Sequence, residues 1–122
     1  MSKRILVADD NDTVRRVICS CLTEHNFSVC GDAFDGEDTI EKARKLKPDL
    51  VLLDLAMPRT NGIVVASVLK EMMPNTRIIL FTMYTEAVRR AFSITGIAVD
   101  AVLPKTEGML GLIACVQSLL PS

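Results

Sequence analysis

Three acidic side chains, one hydroxyl and one ammonium stand directly after short apolar runs of this chain. Asp9 and Asp10 follow Ile5 to Ala8, Asp54 follows Leu50 to Leu53, Thr82 follows Ile78 to Phe81, and Pro104-Lys105 follows Ala101 to Leu103. If the runs are parallel strands of an open sheet, their carboxyl ends share one edge, where ligands bind at the point at which strand order reverses. Carboxylates drawn to about 5 Å repel by roughly 3 kcal/mol per pair at an effective dielectric near 20. A cation among Asp9, Asp10 and Asp54 removes that cost. Hard oxygen ligands favour Mg²⁺, which takes one or two carboxylates, keeps several waters and shares the oxygens of a phosphoryl group. Lys105 can hold another phosphoryl oxygen as a point charge, and the Thr82 hydroxyl a third. With an in-line nucleophile, a metal and fixed positive charge, these residues supply the parts of phosphoryl transfer.

The elements that must position them follow from the apolar pattern. Phe27 to Cys30 adds a fifth run to the four above, and each run is too short for a helix. Between them lie stretches of helical spacing, such as Val14, Val17, Ile18, Cys21 and Leu22, or Val65, Val68, Leu69 and Met72. The starts at Ile5, Phe27 and Leu50 leave room for a crossover helix and two short loops each time, so a parallel sheet covered by helices on both faces is expected. Lys47-Pro48-Asp49 and Met73-Pro74-Asn75 read as stops for the second and third helices, and Asn61-Gly62 as a turn before the third. A length of 122 residues fits one domain, and residues 1–122 are expected to form it without an output domain.

Composition narrows the function classes. Apolar residues make up 49% and charged residues 24%, with a net charge of −1, the balance of an ordinary globular domain. The basic pairs Arg15-Arg16 and Arg89-Arg90 sit among acidic or apolar neighbours, which leaves no electrostatic footprint for nucleic acid. No stretch approaches the roughly 20 apolar residues that span a bilayer, and Met1-Ser2-Lys3-Arg4 lacks the features of a secretory signal, so a cytoplasmic location is expected. Cys19, Cys21, Cys30 and Cys115 form no Cys-x-x-Cys pair, and the single His25 does not complete a zinc site with them; half-buried thiols in a reducing compartment are expected. His25 itself is expected near the end of the first helix, where the helix dipole favours it. The last helix, read as Met109 to Leu120, is apolar on nearly every side. Leu110, Ile113 and Ala114 lie on one stripe and Leu112, Cys115, Val116 and Leu119 on another, so one stripe is expected to face the sheet and the other a partner.

On these residues the chain resembles the receiver domains of two-component response regulators. The matching positions are Asp9-Asp10, Asp54-Leu55-Ala56-Met57-Pro58 with Gly62, Thr82 and Lys105, and the resemblance runs from Ile5 to Leu120. Val29 to Ala33 and Lys47 to Asp54 look most like receivers of regulators with a LuxR-type (NarL-type) helix-turn-helix output. The resemblance implies a flavodoxin-like, doubly wound five-stranded parallel sheet in the order 2-1-3-4-5, with five helices on two faces. It implies that Asp54 accepts a phosphoryl group from the phosphohistidine of a histidine kinase or phosphotransfer protein. Asp10, Asp54 and the carbonyl of Ala56 would ligate Mg²⁺, with Asp9 acting mainly through a metal-bound water. Thr82 would turn toward the new phosphate and draw its loop along, Lys105 would bridge to that phosphate, and the surface of helix 4, strand 5 and helix 5 would change to regulate an output such as transcription. Beyond its own phosphorylation and slow dephosphorylation, no catalysis is implied.

Three positions depart from the family pattern. Val102 stands where many members carry a switching aromatic, and valine has short reach and stiff rotamers; Tyr84, two positions after Thr82, is the alternative reporter. Proline precedes Lys105 instead of following it, and a non-proline cis bond at Lys105-Thr106 would cost about 3 kcal/mol. Ala56 is small where relatives gate water to the acyl phosphate, which implies faster self-hydrolysis. Competing classes are separable. A haloacid-dehalogenase-like phosphatase needs a second aspartate two residues after its nucleophile, where this chain has Ala56. A flavodoxin-like nucleotide binder needs a phosphate loop after the first strand, where Asp9-Asp10 would repel phosphate. A degenerate receiver acting only as an interaction module would differ in failing to take phosphate from acetyl phosphate. The last helix is expected to serve homodimerisation or docking of an output domain.

Overall fold

The computed structural model describes residues 3–57, 61–83, 85–96 and 99–121. Strand and helix alternate as β1 (Arg4–Ala8), α1 (Asp12–Glu24), β2 (Ser28–Ala33), α2 (Gly36–Leu46), β3 (Leu50–Leu53), α3 (Gly62–Met72), β4 (Arg77–Thr82), α4 (Thr85–Thr95), β5 (Ala101–Pro104) and α5 (Gly108–Leu119), with a 3-10 turn at Lys105–Glu107 before α5. All strand pairs are parallel and the order is β2-β1-β3-β4-β5. The chain starts in the middle, builds outward to β2, then returns past β1 to β3. That reversal leaves a crevice between the ends of β1 and β3.

Continuous aliphatic runs in β1, β3 and β4 are what a sheet covered on both faces requires. Leu6, Ala8, Val51, Leu53, Ile78 and Leu80 face one side, against Ala43 of α2 and Val65, Ala66 and Leu69 of α3. Ile5, Val7, Leu50, Leu52, Ile79 and Phe81 face the other, against Ile18 and Leu22 of α1 and Leu112, Ile113 and Val116 of α5. The alternation within each run thus divides one strand between two cores. The α4 backbone lies against β5 and α3.

Several boundaries differ from the sequence expectation. The second strand runs from Ser28 to Ala33, instead of Phe27 to Cys30. It is an edge strand whose residues are mostly half-exposed, so Gly31 and Asp32 pair with β1 without adding to an apolar run. Thr82 and Pro104 close β4 and β5 instead of following them. Asn61-Gly62 is a helix start rather than a separate turn: the Asn61 side chain caps α3 by accepting from the Ile63 N–H at 2.9 Å. The Lys47 stop holds, with this residue in the left-handed region at φ 49°. His25 does end α1, its Nδ1 2.8 Å from the Cys21 carbonyl oxygen. The four cysteines are free and half-buried. Burial pushes the Cys19, Cys30 and Cys115 thiols up, so they are poor thiolates.

The two stripes expected on the last helix need redrawing. Ile113 is buried with Leu112 and Val116, whereas Leu110 and Ala114 are exposed. The reason is α1, which packs beside α5 on the same sheet face and takes up much of the apolar surface that the sequence left without a partner. Far from the strand tips, Asp100 ties β5 to β4 and α3. It pairs with Lys70 at 2.8 Å and Arg77 at 3.2 Å and accepts from the Ile78 N–H at 2.7 Å. Burial alone would raise this carboxyl, but the Lys70 and Ile78 hydrogen bonds and the two cations together hold it below the usual range.

Candidate functional site

The crevice collects the expected residues. Asp9, Asp10 and Asp54 each offer a carboxylate oxygen within 4.8 Å of the others. Asp9 and Asp54 are buried, at 2% and 5% exposure, and Asp10 is exposed, so the cluster has a dry floor and an open mouth. Lys105 reaches in from the turn after β5, its Nζ 3.4 Å from Asp9 Oδ2 and 3.3 Å from Asp54 Oδ2. Thr82 is buried at the end of β4, one strand over from Asp54 and paired in register with Pro104.

Local hydrogen bonds explain why the carboxylates stay there. The Asp54 N–H donates to the Ala8 carbonyl at 2.9 Å, prolonging the β1–β3 ladder by one step, and Asp54 Oδ1 accepts from the Ala56 N–H at 3.2 Å. The Asp9 N–H donates to the Ala33 carbonyl at 3.0 Å, and its Oδ1 accepts from the Asn11 N–H at 2.9 Å. Asn11 caps α1 in turn, accepting from the Val14 N–H at 3.0 Å. Gly62 is required where α3 starts, because a Cβ there would stand 2.8 Å from the Leu55 Cα and 3.0 Å from its carbonyl oxygen. Gly108, at φ 68°, lets the turn carrying Lys105 swing into α5.

Three carboxylates against one ammonium leave a formal charge of about −2 in a partly buried space. Burial pushes the Asp54 carboxyl up, Asp9 pushes it further, and Lys105 and the Ala56 N–H pull back without cancelling the rise. An all-oxygen donor set with two uncompensated negative charges fits a hard divalent cation. The carboxylate oxygens, all within 4.8 Å of one another, are close enough to share one such cation.

Ala56 is exposed beside Asp54. Val102 is half-buried in β5, opposite Leu80 and packed against the core. None of the described peptide bonds is cis, Lys105-Thr106 included. Tyr84 and Pro58 lie outside the described residues. Sequence reasoning missed Arg15, which it treated only as part of a basic pair; it binds the turn that carries Asp9 and Asp10.

A parallel sheet in this order with an acidic crevice at its switch point, a lysine across it and a buried threonine beside it defines a phosphoryl-accepting signalling module. The model of the response regulator receiver domain matches residues 5–117, and the chain belongs to that family. It is 36% identical over 80 residues to the chemotaxis protein CheY of Thermotoga maritima, covering 66% of this chain and 67% of that one. It is 39% identical over 87 residues to the response regulator protein VraR of Staphylococcus saprophyticus, covering 70% of this chain and only 42% of that protein. The chain thus spans less than half of that regulator's length. The receiver domain of AraT from Geobacillus stearothermophilus superposes with a TM-score of 0.83 at 29% identity, over 98% of this chain and 93% of that one. The chain is therefore a receiver, a phosphorylation-dependent signalling switch of two-component type. Receivers bind Mg²⁺ in their acidic pocket and interact with histidine kinases or phosphotransfer proteins. Among the described residues no helix is long and apolar enough to cross a membrane.

Proposed function

We propose that Asp54 is the phosphoryl acceptor of this chain. The observation that carries this reading is the placement of a buried carboxylate between Lys105 at 3.3 Å and the neighbouring Asp9 and Asp10. An Asp54 carboxylate oxygen attacks the phosphorus of a phosphohistidine. The new O–P bond forms as the P–N bond breaks, and the electron pair leaves with the imidazole nitrogen. The product is an acyl phosphate on Asp54. Lys105, already beside the attacking carboxylate, exchanges that contact for a phosphoryl oxygen, and the Thr82 hydroxyl takes another. Asp10, Asp54 and the Ala56 carbonyl would hold Mg²⁺, with Asp9 acting through a bound water. When bound, the ion neutralises charge on the transferring oxygens.

Once Lys105 and Thr82 engage the phosphate, the β4–α4 loop and the surface of α4, β5 and α5 move, which is the signal. Val102 has no ring to flip, so loop movement carries it, with Tyr84 as its reporter. The exposed Ala56 leaves water a path to the acyl phosphate, which favours self-hydrolysis as the only other chemistry of the site. A single receiver domain over residues 1–122 is the reading that one continuous sheet supports, acting in the cytoplasm. Its output, on a separate domain or partner, is transcription, as the resemblance of Val29 to Ala33 and Lys47 to Asp54 to receivers of LuxR-type regulators implies. The exposed Leu110 and Ala114 on α5 would meet a second copy or that output domain. Incubation with acetyl phosphate and Mg²⁺ tests the acceptor: a gain of about 80 Da is expected for one phosphoryl group, lost in Asp54→Asn. A wild-type chain without the gain, or an Asp54→Asn chain that keeps it, overturns the reading.

A further inference from the structure

The turn between β1 and α1 that carries Asp9 and Asp10 is held by a side chain outside the acidic cluster. Arg15, at the end of the first turn of α1, is largely buried, at 14% side-chain exposure. Its guanidinium spreads over three acceptors. One terminal nitrogen donates to the Asp9 backbone carbonyl at 2.8 Å, Nε meets Asp32 of β2 at 2.7 Å, and the other terminal nitrogen meets Asp12 of α1 at 2.5 Å. The fork of donors is thus filled by one carbonyl and two carboxylates from three different segments, an arrangement that a lysine's single ammonium cannot reproduce.

The carbonyl that Arg15 holds is the informative one. It belongs to the peptide unit linking Asp9 to Asp10, so its direction sets where the Asp10 Cα projects. Asp9 has other restraints: its N–H on Ala33, its Oδ1 on the Asn11 N–H, and Lys105 on Oδ2. Asp10 is exposed, and its placement depends on the peptide planes on either side of it. Asp32 is itself braced, because Lys42 of α2 donates to its carbonyl and pairs with Asp38.

We propose that Arg15 is a positioning residue for the cation site: it fixes the Asp9–Asp10 peptide so that the Asp10 carboxylate stays on Asp54 and Asp9. The inference rests on the reading that the cluster holds a divalent cation. Its effect has a sign that simple electrostatics does not share. Arg15 is a positive charge near an acidic cluster, so its removal should tighten cation binding if charge alone mattered. Loss of positioning should weaken it, as removing an orienting partner of metal ligands does by about 10–100-fold.

The test is Mg²⁺ binding to the folded chain by calorimetry, for wild type, Arg15→Met, Arg15→Lys, Asp32→Asn and Arg16→Ala, with the metal-free melting temperature of each. Arg15→Met keeps much of the aliphatic stem, and Asp32→Asn alters an exposed carboxylate on β2 while leaving the residues of α1 unchanged, so one of them serves if the other folds poorly. Mg²⁺ affinity about tenfold or more weaker in Arg15→Met, and weaker by a smaller factor in Asp32→Asn, is expected. Arg15→Lys should fall with Arg15→Met despite its charge, and Arg16→Ala should match wild type or bind slightly tighter. Unchanged or tighter binding in Arg15→Met overturns the inference while leaving the cation site intact. No binding by wild type overturns the cation reading itself.

Discussion

Replacing Asp54 by asparagine should make the metal-free protein more stable, although it removes the proposed acceptor. Asp54 offers an oxygen within 4.8 Å of oxygens of both Asp9 and Asp10, and each such pair repels by about 3.5 kcal/mol at an effective dielectric near 20. Lys105 at 3.3 Å returns about 5 kcal/mol on the same scale. The ionised Asp54 therefore carries a net repulsion of about 2 kcal/mol. Solvent at the exposed Asp10 reduces its share, and burial of Asp54 adds a cost in the same direction. Asparagine keeps the shape and the acceptor for the Ala56 N–H while removing the charge. For a domain of this size a gain of about 2 kcal/mol raises the melting temperature by roughly 8 °C. The sign with pH follows from the raised carboxyl of Asp54. Both forms are protonated below the ordinary aspartate range, so the penalty is absent there. It grows as pH climbs from the unfolded pKa to the raised folded one and is constant above. Urea unfolding of wild type and Asp54→Asn in chelator, at pH 7 and near pH 3, measures it. A variant no more stable than wild type at pH 7, or a gain that persists unchanged at pH 3, would refute the electrostatic reasoning.

Other substitutions probe the supporting parts. Lys105→Met removes the cation that competes for Asp9 and Asp54, so Mg²⁺ should bind roughly tenfold tighter while phosphorylation by acetyl phosphate slows; weaker Mg²⁺ binding would contradict the geometry. Gly62→Ala sets a Cβ against the Leu55 backbone and should cost about 1–3 kcal/mol and slow phosphoryl uptake at the adjacent Asp54. A urea midpoint equal to wild type would show that the loop yields freely. Asp100→Asn should cost about 2 kcal/mol at pH 7 by leaving Lys70 short of its partner. Because the folded Asp100 carboxyl is held low, its contribution is full above the ordinary aspartate range and is lost as pH falls through the depressed value. The variant and wild type should therefore converge in acid.

The candidate site was legible before the fold, because parallel strands deliver their tips to one edge and Asp9, Asp10, Asp54, Thr82 and Lys105 each mark a tip. The interior strands were legible for the same reason that they are buried: β1, β3 and β4 are covered on both faces and read as unbroken aliphatic runs. Edge strand β2 was read short, since a half-exposed Gly31-Asp32 pair carries no hydrophobic signal. The outward face of α5 was overestimated, because periodicity within one helix does not reveal that α1 lies beside it. Arg15 stayed hidden because its role depends on three acceptors that only the fold assembles: the Asp9 carbonyl, Asp12 and Asp32.

The proposed site stands or falls with a divalent cation that makes the clustered carboxylates tolerable. Calorimetric titration of the chelator-treated protein with Mg²⁺ at pH 7, with melting temperature followed in parallel, decides it. One ion per chain is expected, with a melting temperature that climbs as Mg²⁺ is added and binding that is weakened at least tenfold in Asp10→Asn. No binding heat and an unchanged melting temperature at millimolar Mg²⁺ would contradict it.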